Sequence, residues 1–287
     1  ANCLKFACTT ADTSIAADEL LSFGQYFEGQ DVQQLKKGTS DAEKVTASFY
    51  VKGNASATYT CELEDADNTR YNAQTFSVTT SWNRVVLTFD GDTTGTLDDD
   101  TANSLRLNIF LHAGSTYTGG TFSSNTWQTT NNQRANSSQT SFYDSTSRTF
   151  FITGIQLEVG EVATPFEHRS FAEEVALCKR YYEVDGHGSN NPNGWNFKSM
   201  PVKLAQVGDY IQGTKFAVEK RADPTIVVYS RNGTSGKVSV FSTGSDAANN
   251  WSTNAQGVTG FHAVVRDGGS HTVGTGFEYG FTADAEL

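Results

Sequence analysis

The sequence predicts an all-β protein of two sandwich-like domains joined across one short helix, and three observations predict it. Aromatics make up 12% of 287 residues and Gly accounts for 26, while Met occurs once, a balance that favours pleated strands and turns over helices. Charged residues reach only 18%, too few to coat long amphipathic helices, so Ser, Thr and Asn must meet the water. Apolar residues recur with period two in short runs bounded by polar turns, as in half-buried strands. At about 150 residues per domain, the length allows two cores.

The chain opens on Ala1 without Met, and Asn2 to Cys8 already reads as a strand, so the sequence is expected to continue from something upstream. Further strands follow by alternation. Ala47, Phe49 and Val51 share one face, as do Tyr59, Cys61 and Leu63, then Val85, Leu87 and Phe89, then Leu105, Leu107, Ile109 and Leu111. A last run closes the set with Phe151, Ile155, Leu157 and Val159 on one side. Turns are expected at Lys52-Gly53-Asn54, Asp65 to Asn68 and Asp90-Gly91-Asp92. This spacing suits a jelly-roll sandwich over residues 1–166. Between His112 and Thr149 lies a long polar loop, whose Tyr117, Phe122, Trp127, Phe142 and Tyr143 should pin it to the sandwich.

After Pro165 the period changes. Ser170 and Glu173 form a capping box, and Phe171, Val175, Cys178 and Tyr182 follow at helical spacing. Lys179 and Arg180 suit the C-terminal end of the helix dipole. A helix over 170–182, within a linker of 167–184, is therefore predicted, its apolar stripe covered by one domain or the other. A second, smaller sandwich is expected over 185–287, with strands at 216–218, 225–230, 237–241, 260–265 and 277–282. In the last of these, Phe277, Tyr279 and Phe281 alternate with the outward Glu278 and Gly280.

Charge excludes some functions. A net charge of −11 repels a phosphate backbone, so nucleic acid is not an expected partner. No apolar run approaches the roughly 18–20 residues of a membrane helix, and the start lacks the marks of a signal peptide. Cys3, Cys8, Cys61 and Cys178 form no CxxC pair and read as free buried thiols, in keeping with a reducing cytosol.

Catalytic patterns are weak. Glu62 and Glu64 point away from the face bearing Cys61 and Leu63 and are expected to make a solvated surface rather than a glycosidase pair. Asp98, Asp99 and Asp100, near Asp90 and Asp92, form an acidic turn whose spacing matches no calcium loop. The five His residues show no metal or nucleophile arrangement, and the Gly pairs lack a phosphate-loop context. No catalytic residue, metal site or cofactor is expected.

Aromatics offer the best route to a ligand, because a sugar's C–H face stacks on a ring while its hydroxyls bond to amides and guanidinium groups. Trp82, at the start of the Val85 strand, is expected to pack in the core. The glycan-binding candidates are Tyr117, Trp127 and Tyr143 in the long loop, with Asn132 and Arg134 beside them, and Trp195 and Trp251 in the second domain.

Several stretches carry a resemblance. These are Leu35 to Thr39, Ser48 to Gly53, Phe89 to Gly95, Ile155 to Gly160 running into Thr164 to Ser170, Leu177 to Tyr182, Arg221 to Thr225 and Tyr279 to Leu287. Together they resemble tailed-bacteriophage tail-fibre and carbohydrate-binding-module-like virion structural proteins, over nearly the whole chain. The resemblance implies a non-catalytic virion protein, assembled in the host cytoplasm as a homo-oligomer such as a trimer. Its implied partners are other virion subunits and a host surface polysaccharide. A purely architectural head fibre, decoration or adaptor protein is the alternative, and a polysaccharide depolymerase a third.

Overall fold

The computed structural model describes residues 2–185, 198–199, 209–247, 251–266 and 275–286. The chain divides into two units, Ala1–His168 and Arg169–Glu286. Both are all-β, as the composition predicts.

The first unit is an eight-stranded jelly-roll sandwich. One sheet runs β1 (Leu4–Ala7), β8 (Thr149–Val159), β3 (Val45–Gly53), β6 (Asn83–Phe89). The other runs β2 (Leu20–Glu28), β7 (Asn103–Ala113), β4 (Ala57–Asp65), β5 (Arg70–Val78). All pairings are antiparallel. The predicted inward faces meet between the sheets: Ala47, Phe49 and Val51 from β3, Tyr59, Cys61 and Leu63 from β4, and Leu105, Leu107, Ile109 and Leu111 from β7 are all buried. Rings interlock edge to face, Phe49 against Phe76 at 5.1 Å and Tyr59 against Phe150 at 5.5 Å.

β8 departs from the predicted alternation. Phe150 and Ile152 are buried and Phe151 faces outward; further along, Leu157 packs inward and Val159 shares its side at the exposed strand end, while Ile155 is exposed. The cause is a β-bulge. Ser48 pairs with Gln156 and Tyr50 with Thr153, so Gly154 and Ile155 together oppose Phe49. Gly154 has φ +60°, where L side chains are strained, which explains glycine there. The extra residue flips the phase of everything beyond it.

The second unit centres on β16 (Phe277–Asp284). It pairs with β9 (Tyr182–Asp185), β10 (Lys198–Ser199), β12 (Thr225–Tyr229) and β13 (Ser239–Val240), beside a three-stranded sheet of β11 (Asp209–Lys215), β15 (Gly260–Arg266) and β14 (Trp251–Gly257). The predicted strand at 216–218 lies just past β11. β16 is buried on both sides, so Glu278 is not outward as expected: it is inside and faces Arg231 at 3.5 Å.

The helix forms over Phe171–Tyr181 with both bonds of the predicted capping box: Glu173 N donates to Ser170 Oγ at 3.3 Å and Ser170 N to Glu173 Oε2 at 2.8 Å. It belongs to the second unit, which takes up its last carbonyls. Ala285 N donates to Tyr181 O at 2.7 Å, Arg221 N to Arg180 O at 3.2 Å, and the Lys220 ammonium to Lys179 O. The expected burial of the apolar stripe is not seen: no helix residue is buried and Phe171 is 85% exposed. Backbone bonds at one end, rather than side-chain packing along its face, tether this helix.

Candidate functional site

Alternation sends Thr60, Glu62 and Glu64 to the outer face of β4, where the expected solvated surface is replaced by a buried ion cluster. The long loop after β7 folds back across this face. Its Arg134 donates from Nε to Glu62 Oε2 at 2.9 Å, and from Nη2 to Glu62 Oε1 at 2.7 Å and Glu64 Oε2 at 2.9 Å. Asn108 on β7 donates to both carboxylates, and Arg106 reaches Glu64 at 3.2 Å. The Arg134 guanidinium also lies 4.1 Å from the Tyr71 ring centroid. Burial pushes the Glu62 carboxyl up to about 7 against the pull of Arg134 and Asn108. Burial likewise opposes the charge of Arg134, but its two carboxylates outweigh that and hold it charged.

A second buried knot forms around Lys37. Lys37 donates to Asp65, to the carbonyls of Thr94 and Gly95 at 2.9 Å each, and lies 3.1 Å from Asp92. Arg70 grips Asp92 with two prongs, at 2.6 and 2.9 Å. Trp127 roofs this knot: its indole N–H donates to Asp90 O at 2.7 Å, and the Lys37 ammonium lies 5.0 Å from its ring.

Of the first unit's predicted ligand residues, Tyr117 and Arg134 both pack on Phe110, with Asn132 close by. Arg134 and Trp127 hold the loop down, as the aromatic content predicts. Tyr117 leans on Phe110, 6.5 Å between centroids, and its carbonyl accepts from Ala135 N. Asn132 is exposed nearby, its carbonyl accepting from Gly120 N at 2.7 Å. Tyr143 packs on His112 at 5.3 Å and against the core, away from the others. Trp195 lies outside the described residues; Trp251 opens β14 opposite Val265. Cys8 and Cys61 are buried free thiols, whereas Cys3 and Cys178 are exposed, contrary to expectation. Among the described residues no three His, Cys, Asp or Glu side chains gather as a metal site would require. The Asp98 amide bonds to Asp67 instead.

The opposite outer face, on the β1-β8-β3-β6 sheet, holds what the sequence reading missed. Trp82 is 43% exposed rather than in the core. It shares the phase of Arg84 and Val86, which point outward because Val85, Leu87 and Phe89 point in. Register places Lys5 opposite Phe151 and Phe151 opposite Lys52 on three strands, and Trp82, just before β6, extends this row beside Lys52. Trp82 and Phe151 are 6.4 Å apart, edge to face. In the next row Tyr50, 38% exposed, stands between Thr153 and Arg84. Arg84 donates to Ser48 Oγ at 3.1 Å and to the Thr164 carbonyl. The result is a flat aromatic surface edged by donors.

This is a β-sandwich with an exposed aromatic face. No family model and no curated protein matches the chain. Among solved structures, one described as "CBM4 structure and function" aligns at 13% identity over 48% of this chain and 60% of that one, with a TM-score of 0.26. Discoidin II of Dictyostelium discoideum aligns at 11% identity over 85% and 74%, with a TM-score of 0.22. PBSX exported protein XepA aligns at 12% identity over 98% and 86%, with a TM-score of 0.18. The chain thus spans 60% of the length of the first of these structures. Scores this low identify no shared site, and the functional reading rests on this chain's own residues.

Proposed function

We propose that this chain is a non-catalytic glycan-binding protein whose ligand lies on the Trp82 face of the first unit. The observation that carries this reading is the solvent-facing row of Trp82 and Phe151, with Tyr50 behind it, on a sheet whose other face already supplies the core. An exposed indole at the start of a strand suits the C–H side of a pyranose, and Arg84 and Thr153 offer polar groups to its hydroxyls. The lock on Glu62 and Glu64 supports a binding rather than a hydrolytic role: both carboxylates lie beneath the loop, tied to Arg134 and Asn108.

The sequence resemblance extends the proposal. The module serves a phage virion, as part of an oligomeric tail fibre or spike meeting host polysaccharide, where repeated weak sites gain avidity. A glycan array probed with the wild-type chain and with Trp82→Ala tests the binding step. Recognition lost in the variant supports it, and a wild-type chain that binds no glycan overturns it.

Val86, 48% exposed further along this face, favours a second reading in which another subunit covers it. Light scattering of Trp82→Ala and Val86→Asp then shows a smaller assembly than wild type.

A further inference from the structure

The cations along the Trp82 row are held but not neutralised. The Lys52 ammonium lies 5.3 Å from the Trp82 ring centroid and 4.9 Å from that of Phe151, and the Lys5 ammonium lies 5.6 Å from Phe151 on the other side. Two positive charges thus flank a single ring. Among the described residues neither lysine meets a carboxylate, whereas Lys36, Lys37, Lys44 and Lys220 each do, at Glu43, Asp65, Glu161 and Glu183. The neighbouring outward positions are Thr153, Tyr50 and Arg84, so no acidic side chain stands in this row or the next. In a chain of net charge −11, the end of this face around Lys5 and Lys52 is a local exception, with the nearest acidic group of the sheet, Glu158, lying beyond Arg84.

From this we infer that the glycan bound here is acidic, a polysaccharide bearing carboxylates such as a polyuronate. One carboxylate lies above Phe151 between Lys5 and Lys52, and an adjoining sugar ring stacks on Trp82. Register sets the geometry. Lys5 and Lys52 stand two strands apart, ~9–10 Å at the backbone, and their side chains lean towards the ring between them. Cation–ring contact fixes both ammonium groups without cancelling their charge, which prepares the site for an anion. The inference deepens the glycan-binding reading and depends on it.

The test is affinity electrophoresis of the full chain through gels containing polygalacturonate, its fully methyl-esterified form, neutral dextran or polyglutamate, at low and high salt. The expected result is retardation by polygalacturonate alone, weakened at least tenfold by esterification. It should also be weakened by high salt and by the paired substitution Lys5→Gln with Lys52→Gln. Trp82→Ala should abolish retardation too, since charge alone does not hold the sugar. Both substitutions are on the surface, and an unchanged thermal transition confirms that the variants fold. Equal retardation by the esterified polymer or by dextran, unaffected by the lysine pair, overturns the acidic preference and leaves glycan binding standing. Equal retardation by polyglutamate shows simple polyanion attraction and also overturns it. Retardation by none of the sugars overturns the acidic preference, and the glycan array then decides the glycan-binding reading by itself.

Discussion

Arg134 grips Glu62 with two parallel bonds, Nε to Oε2 at 2.9 Å and Nη2 to Oε1 at 2.7 Å, and so fastens the loop after β7 onto the outer face of β4. Removing Arg134 strips the buried Glu62 and Glu64 of their shared cation, so Glu62 is left either with an uncompensated charge or with the cost of taking up a proton. Arg134→Ala should therefore cost the first unit about 3–5 kcal/mol in urea denaturation. Hydrogen exchange should quicken at Ala135 and Gly120, whose amides close the loop, before it quickens in β3.

The two tryptophans of the first unit should separate cleanly. Trp127 roofs the Lys37 knot and packs on the core, so Trp127→Ala should lose about 2–4 kcal/mol. Trp82 faces solvent, and Trp82→Ala should change stability by about 1 kcal/mol or less. Paired denaturation curves check this; a Trp82→Ala loss as large as that of Trp127→Ala would refute the assignment of its ring to the surface.

Asp92 links stability to pH. Burial alone would raise its pKa, but Arg70, Lys37 and the Thr94 amide outweigh that and hold it below the ordinary carboxylate value. A depressed folded-state pKa contributes stability above the unfolded value, and the contribution disappears as pH falls through the folded value. Urea midpoints should drop as pH is lowered below about 4. Asp92→Asn should be less stable at pH 7 and should flatten this part of the acid limb.

Gly154 carries the bulge of β8. A Cβ there would lie 3.3 Å from Tyr50 Cδ2, and the φ of +60° is itself unfavourable for an L residue. Gly154→Ala should cost about 1–2 kcal/mol, and Gly154→Asn less, since Asn tolerates this region better. Thermal unfolding of the two variants decides it.

The sequence revealed the core strands because β3, β4 and β7 each pair one buried face with a regular alternation. It hid β5, whose inward positions include Asn72 and Gln74, and β11, which ends where Phe216 was expected to begin a strand. Glu62 was misread for a different reason. Period two reports which side a residue faces, not what covers that side, and the cover comes from Arg134, 72 residues away. Trp82 was the opposite case. The inward phase of Val85, Leu87 and Phe89 already put it outside, and its bulk argued more loudly than its position. The Lys5–Phe151–Lys52 row needed register between strands distant in sequence, which no single-strand pattern contains.

The bulge at Gly154 reaches beyond local geometry. One inserted residue gives β8 two reading frames: before it, even-numbered side chains fill the interior and Phe151 is left to the surface; after it, the odd-numbered Leu157 turns inward. The half of β8 before the bulge thus serves both sides of the sheet, with Phe150 and Ile152 in the core and Phe151 outside. Substitution at Phe151 therefore changes the outer face proposed to bind glycan while Leu157, beyond the bulge, keeps its packing.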